Sequence, residues 1–358
     1  VSDIVDWVLA EWIASRVAGI GSAGADQSGV TGVDLGELAV DAETRVVSYT
    51  GLIPTGALPT PEGVSRTEWV RANLSSMRKL MEPMLAKAGG GLGPLKPTAQ
   101  LAIGFTVSGE VGLLVGYMSL RVLGQYELVL LEEIDAPAPR LLFVLPNLAK
   151  AVTNFKADQR EFLTWVTLHE VTHAVQFSSV PWLQGHLSGL IREIMASAEV
   201  RLDTKRRFRL PSRKELRRVG TALRHGDMIG VVTNAAERET LDRVQAVMAV
   251  IEGHAEHVMD AVAPELLPSL PRLRQSLDER RSNQSRLGRL VGRLLGLELK
   301  MRQYERGKIF CDAIVAAAGP SALTQVFSAP EALPSLAEIE DPPAWLARIG
   351  LSAPELRA

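Results

Sequence analysis

His169-Glu170-Val171-Thr172-His173 points to a fold more strongly than any other stretch of this chain. Two histidines four residues apart lie about one turn from each other on one helix face, so both imidazoles can reach the same metal ion. The glutamate between them stands beside that ion, placed to take a proton from water. The competing reading is a helix that happens to carry two histidines.

The flanking sequence supports a helix. Asp158 can cap one whose third position is Glu161, a carboxylate near the positive end of the helix dipole. Phe162, Trp165, Val166, His169, His173 and Gln176 then recur at helical spacing until Ser178-Ser179-Val180-Pro181 breaks the run. The histidines share their stripe with apolar residues. That face is expected to turn inward, where a neutral imidazole needs a partner or a metal.

Catalytic zinc keeps three protein ligands and one open position. The third ligand is expected in Ile251-Glu252-Gly253-His254-Ala255-Glu256-His257. A second helix should run from near Asn234, with Glu237 three residues on, to about Val262. Leu241, Val244, Met248, Ile251, Ala255 and Val258 mark its buried stripe. Glu252 adjoins that stripe, and Gly253 removes a side chain where two helices must pack closely. Glu252 and Glu256 share a face, so one can bind metal while the other orients a histidine. The competing reading makes Glu256, His254 and His257 a solvated polar face.

The wording HEVTHAVQF followed by EGHAEHVMD resembles the zincin-like metallopeptidases of actinobacterial and chloroflexus type, a gluzincin-like group linked by name to deazaflavin-coenzyme biosynthesis. Further points of likeness are Glu68-Trp69-Val70 with Ala72-Asn73, Val122-Leu123-Gly124-Gln125-Tyr126, Leu145-Pro146-Asn147 and Pro181-Trp182-Leu183. Met301-Arg302-Gln303-Tyr304 with Gly307 and Phe310 is another. The resemblance implies a zincin-type fold, a zinc site at His169, His173 and Glu252, and Glu170 as the base. It implies no substrate, and nothing in these residues explains the deazaflavin link.

Composition bounds the remaining choices. The 358 residues, 46% of them hydrophobic, can bury a large core. A net charge of −2 argues against a general nucleic-acid binder. A lone cysteine, Cys311, rules out an intrachain disulfide framework and suits a reducing cytosol, so a cytoplasmic location is expected. It follows a helical stretch and reads as a buried thiol. No run approaches the roughly 18 apolar residues of a membrane span. The amphipathic start, 1–19, lacks the basic opening and apolar centre of a signal peptide.

Along the chain, 19–36 and 54–61 read as irregular, and helix returns over 66–87, ending at the glycine run 89–91. That run divides a helical N-terminal region, 1–98, from a metallohydrolase core, 99–358. Strands are expected at 100–107, 111–120, 126–131 and 140–145, with Ser108-Gly109-Glu110 as a turn. The expected fold is therefore α+β, predominantly helical, with a small sheet before the HExxH helix. The edge strand of such a sheet can hold an extended peptide. The basic runs 201–218 and 272–306 read as solvated helix faces or contacts to acidic partners, and 287–297 as a core helix.

The chemistry follows from these parts. With zinc lowering the pKa of water towards about 7, Glu170 accepts the proton as that water attacks an amide carbonyl. Tyr304, Arg302 and His257 are candidates for a second group stabilising the oxyanion, Tyr304 foremost because a phenol donates a hydrogen bond without permanent charge. Arg302 and Tyr304 read equally well as packing and ion-pair residues. A peptide or protein is the expected substrate of this zinc hydrolase. The alternative is a catalytically silent protein of the same fold, with a structural metal or a partner-binding cleft.

Overall fold

The computed structural model describes residues 5–20, 32–91, 97–127, 138–202, 235–265, 267 and 297–351. Its long elements are α1 Trp7–Ala18, α2 Leu35–Thr50, β1 Pro61–Val64, α3 Arg66–Gly91, α4 Pro97–Ser119, β2 Gly124–Glu127 and β3 Arg140–Val144. They continue with α5 Leu145–Phe155, α6 Gln159–Ser179, α7 Pro181–Leu202, α8 Ala235–Val262 and α9 Leu297–Ala318. Three short helices follow: α10 Ser321–Val326, α11 Leu336–Glu340 and α12 Pro342–Ile349. The expected class holds: mostly helix with a small sheet.

The apolar run of β3 explains the layout. Leu141 and Phe143 face the main core, while Leu142 and Val144 face a smaller one with Ala14, Ala18, Val64, Trp69, Val70, Leu74 and Val115. A strand alternates its side chains between faces, so a continuous hydrophobic run is what a strand buried on both sides requires. β3 is accordingly central, with β1 parallel on one side and β2 antiparallel on the other.

Two of the expected strands are instead one helix. Residues 100–107 and 111–119 belong to α4, with Leu120 just past its end, and Ser108-Gly109-Glu110 continues it without turning. The β-branched and aromatic residues here mimic strand alternation, but the deciding pattern is a ridge of small residues, Ser108, Gly112 and Gly116. It lies along the Ala10, Ala14, Ala18 face of α1, so closely that a methyl on Gly112 would sit 2.7 Å from the Ala10 carbonyl oxygen. The Asp6 backbone N–H donates to Ser108 Oγ at 2.7 Å where the two helices start to run together. Of the other two strands, 140–145 is β3, and 126–131 begins in β2, with 128–137 outside the described residues. The third strand, β1, starts at the end of the stretch read as irregular, and α2 had no counterpart in the sequence reading.

α6 has the expected bounds. Asp158 accepts from the Glu161 backbone N–H at 2.9 Å, and Val180 and Pro181 end the helix. It is not amphipathic, however. From Phe162 to Gln176 every residue is buried except Trp165 and His169, as suits a helix enclosed on all sides. α2 covers one flank with Leu38, Ala42 and Val46, and α8 another. Trp165 and His169, one turn apart, mark the side on which α6 opens outward. The basic runs 201–218 and 272–306, the 287–297 stretch and the Asn234 cap lie largely outside the described residues. Among the described residues no helix is long and apolar enough to cross a membrane.

The close approach expected at Gly253 is present. A methyl there would lie 2.1 Å from the Gly307 carbonyl carbon, and one on Gly307 would lie 1.9 Å from the Ala249 carbonyl oxygen. The backbones of α8 and α9 thus touch with no room for a side chain. Gly253→Ala should force the helices apart and cost about 3 kcal/mol, the upper range for overpacking. Denaturant unfolding checks this, and a loss below about 0.5 kcal/mol would show that the contact is slack.

Candidate metal centre

α6 carries His169 and His173 to the same point, as their spacing requires. Their Nε2 atoms approach to 3.2 Å with the rings nearly perpendicular, at 85°. α8 brings Glu252 to the same place: its Oε2 lies 3.7 Å from His169 Nε2 and 3.6 Å from His173 Nε2. Three ligands at tetrahedral zinc, each about 2.0–2.2 Å from the ion, stand about 3.3 Å from one another. The observed triangle is that arrangement, slightly expanded, and the three residues fit a zinc ion. Their side chains are 27%, 11% and 22% exposed in the order His169, His173, Glu252, so the open direction is on the His169–Glu252 side.

The outer nitrogens are fixed as well. Gln176, one turn past His173, puts its Oε1 2.8 Å from His173 Nδ1. Its Nε2 donates to the Ile251 carbonyl at 2.9 Å and to His254 Nδ1 at 2.8 Å. A backbone carbonyl can only accept, so the amide cannot be turned over. Oε1 must face His173, which then carries its proton on Nδ1 and leaves the Nε2 lone pair for the metal. His169 Nδ1 lies 3.2 Å from Met259 Sδ, a weak acceptor in the same position. Orientation of His173 thus falls to Gln176.

Glu170 points the other way, towards the sheet. Its Oε2 accepts from the Tyr126 backbone N–H at 2.9 Å. A methyl on Gly124 would sit 2.6 Å from Glu170 Cγ, so the edge strand β2 leaves room for this side chain only because position 124 has none. Burial raises the Glu170 pKa to about 7 against the opposing pull of His173 and the Tyr126 N–H, with Glu252 adding to the rise. Burial also lowers His169 to about 4, and nearby His173 adds to that. Burial works against a charge on His173 too, but the hydrogen bond and charge of Glu252 outweigh it and push that group up to about 9.

The remaining candidates sit elsewhere. His254 is buried and not solvated: it accepts from Gln176, and its Nε2 has no hydrogen-bond partner among the described residues. Burial drives its pKa down to about 3, so the ring is neutral. Five residues beyond Glu252, His257 lies about 140° around α8 from it. Its ring nitrogens lie 2.8 Å from the Tyr49 hydroxyl and 2.6 Å from Asp312 Oδ1. That is a place in a polar network between α2, α8 and α9, away from the ligand triangle. The side chains of Tyr304 and Arg302, both on α9, lie outside the described residues. Cys311 is a buried thiol, as expected.

Gln176 was legible as the third residue after His173, on the same face. Met259, seven after Glu252, was on the same face too. Tyr126 and Gly124 carried no local signal of their role. A separate cavity of about 820 Å³ lies between α7, α8 and the C-terminal helices, lined by His186, Arg243, Val247, Leu333 and Arg348 among others. None of His169, His173 and Glu252 lines it, so this space is not part of the candidate metal centre.

Two outcomes follow. Gln176→Leu should weaken zinc binding about 10–100-fold, measured by competition with a chromophoric chelator. Protons and metal compete for His173 Nε2, and a pKa of about 9 keeps this site protonated at neutral pH in the metal-free protein. Zinc affinity should therefore climb from pH 7 and level off above about pH 9. A flat profile across that window would contradict the charge assignment.

Known proteins resemble this chain over nearly its whole length. The structure is similar to a solved one from Chloroflexus aurantiacus, described as "a putative hydrolase with a novel fold", with a TM-score of 0.67 and 28% identity. The likeness covers 97% of this chain and 99% of the other. A comparison with curated proteins gave no match. The zincin-like metallopeptidase family matches residues 5–346, which span the sheet, the His169–His173 helix and Glu252, and the chain belongs to that family.

Proposed function

We propose that this protein is a zinc-dependent hydrolase that cleaves peptide bonds in a peptide or protein substrate. Glu170 carries the proposal. A structural metal needs ligands alone, whereas here a buried carboxylate outside the triangle, between the two histidines in sequence and near enough to feel His173 and Glu252, has a pKa of about 7. A base is most effective when its pKa lies near the working pH. His169, His173 and Glu252 would hold the zinc. When bound, the ion would supply a Lewis acid that polarises a carbonyl and makes water a nucleophile near neutral pH.

The protein's own groups account for the rest. Glu170 takes the proton from the attacking water and passes it to the leaving nitrogen. Gln176 keeps His173 in the ligating tautomer. β2 offers a binding edge: the Val144 N–H donates to the Leu123 carbonyl at 2.9 Å, which sets the phase so that Gly124 and Tyr126 direct their backbone groups away from β3. The Tyr126 N–H is held by Glu170 Oε2, so an extended peptide laid along that edge would pair with the remaining outward backbone groups of Gly124 and Tyr126. Tyr304 is assigned the second hydrogen bond to the oxyanion, from the motif in which it stands. The lone buried thiol, Cys311, fits a reducing compartment, and we place the protein in the cytoplasm.

The test is a peptide-library digest by zinc-loaded protein beside Glu170→Gln. Wild type should cleave, while the variant should lose about 100- to 10,000-fold in turnover and still bind zinc. Tyr304→Phe should lose turnover with little change in KM. Zinc bound at full occupancy with no cleavage by wild type would transfer the protein to the binding class.

A further inference from the structure

We propose that Gln125 is a positioning residue: clamped by Trp69 and Asn73 of α3, it fixes the edge strand whose Tyr126 N–H holds Glu170. This inference deepens the hydrolase reading and rests on it for its catalytic meaning. Its structural content stands without it.

Within β2 the side chains alternate. Gly124 and Tyr126 lie on either side of Gln125, and their backbones face Glu170: one leaves room for its Cγ and the other donates to its Oε2 at 2.9 Å. Gln125 itself is bonded to α3. Its Oε1 accepts from Trp69 Nε1 at 2.6 Å and from Asn73 Nδ2 at 3.3 Å, and its Nε2 donates to Asn73 Oδ1 at 3.1 Å. Asn73 is held in turn by donating from Nδ2 to the Trp69 carbonyl at 2.9 Å. The indole N–H can only donate, so it fixes which end of the Gln125 amide faces it. Trp69 is anchored in the smaller core at 2% exposure.

These contacts place β2 along its own length. Over its four described residues, and with β3 as its one neighbour among the described residues, β2 has few ladder bonds to set its position. A slip of one residue would present Gln125 to Glu170 in place of Gly124. The Gln125 amide bonds only in the observed register, so α3 determines which backbone N–H meets the base. Two stretches that the sequence singles out, around Trp69-Asn73 and Gly124-Gln125-Tyr126, thereby become one device.

The experiment reads the Tyr126 amide directly, by hydrogen exchange in the metal-free protein, for Gln125→Met, Glu170→Ala and the double variant. Methionine keeps the length of glutamine without its hydrogen-bonding groups. Glu170→Ala should speed Tyr126 exchange about tenfold, the worth of one hydrogen bond. Gln125→Met should do the same, and the double variant should be no faster than Glu170→Ala. Zinc affinity of Gln125→Met should stay within about twofold of wild type. Unchanged Tyr126 exchange in either single variant, or effects that multiply, would overturn the proposal.

If Gln125→Met does not fold, Gln125→Glu serves instead. It retains an acceptor for Trp69, and should give a rise smaller than that of Glu170→Ala. A rise as large as that of Glu170→Ala, or none at all, would overturn the proposal. On a peptide that wild type cleaves, the Gln125 variant should lose about 10- to 100-fold in kcat with KM within about twofold. If wild type cleaves nothing, the hydrolase reading fails while the exchange result still decides the clamp.

Discussion

The depth at which α8 lies between α6 and α9 governs the rest of the site. Glu252 can join the two histidines only if α8 approaches α6 closely, and α9 must then close against its other flank. Gly253 and Gly307 permit this by letting two helix backbones meet without side chains between them. On the α6 side, Gln176 reaches the Ile251 carbonyl and His254, so the two helices are joined by hydrogen bonds as well as by packing. The same amide then sets the proton on His173. Fold and ligand chemistry thus pass through a few atoms on adjacent turns.

Electrostatics gives this arrangement its direction. Burial by itself would neutralise every titratable group around the triangle. Glu252 reverses that for His173, while His169 remains neutral and Glu170 is held near neutrality. In the proposed reaction the acid nearest the sheet and the acid nearest the histidines thereby take different work: one exchanges protons, the other ligates. Their separation follows from backbone features, the spacing within α6 and the passage of β2 over Glu170.

Much of the site was legible because helical spacing is a local property. His169, Glu170 and His173 lie within a single turn or so, and Glu252 stands in a helix whose apolar stripe identifies its buried side. Gly253 was legible because a glycine inside a helix costs stability, a loss that close contact with another backbone can offset. The sheet was not. Val107, Val111 and Val115 suit a strand as well as a helix, and only the packing of Ser108, Gly112 and Gly116 on α1, a hundred residues away, decides between them. The contacts of Tyr126 with Glu170, and of Trp69 with Gln125, likewise join segments whose nearness no local pattern announces. The HExxH helix itself was expected to show one apolar face, yet it is enclosed because α2 covers it, and α2 had gone unread.

The proposed chemistry requires His169, His173 and Glu252 to form one zinc site. X-ray absorption at the zinc edge, on protein purified without added metal and on a His169→Ala, His173→Ala variant, examines that site itself. Wild type should hold near-stoichiometric zinc, with two imidazole nitrogens at about 2.0–2.1 Å and oxygen at about 2.0–2.2 Å, and the variant should lose that signal. Protein that takes up no zinc even after loading, or zinc without histidine in its coordination shell, would show that the three residues do not form the site.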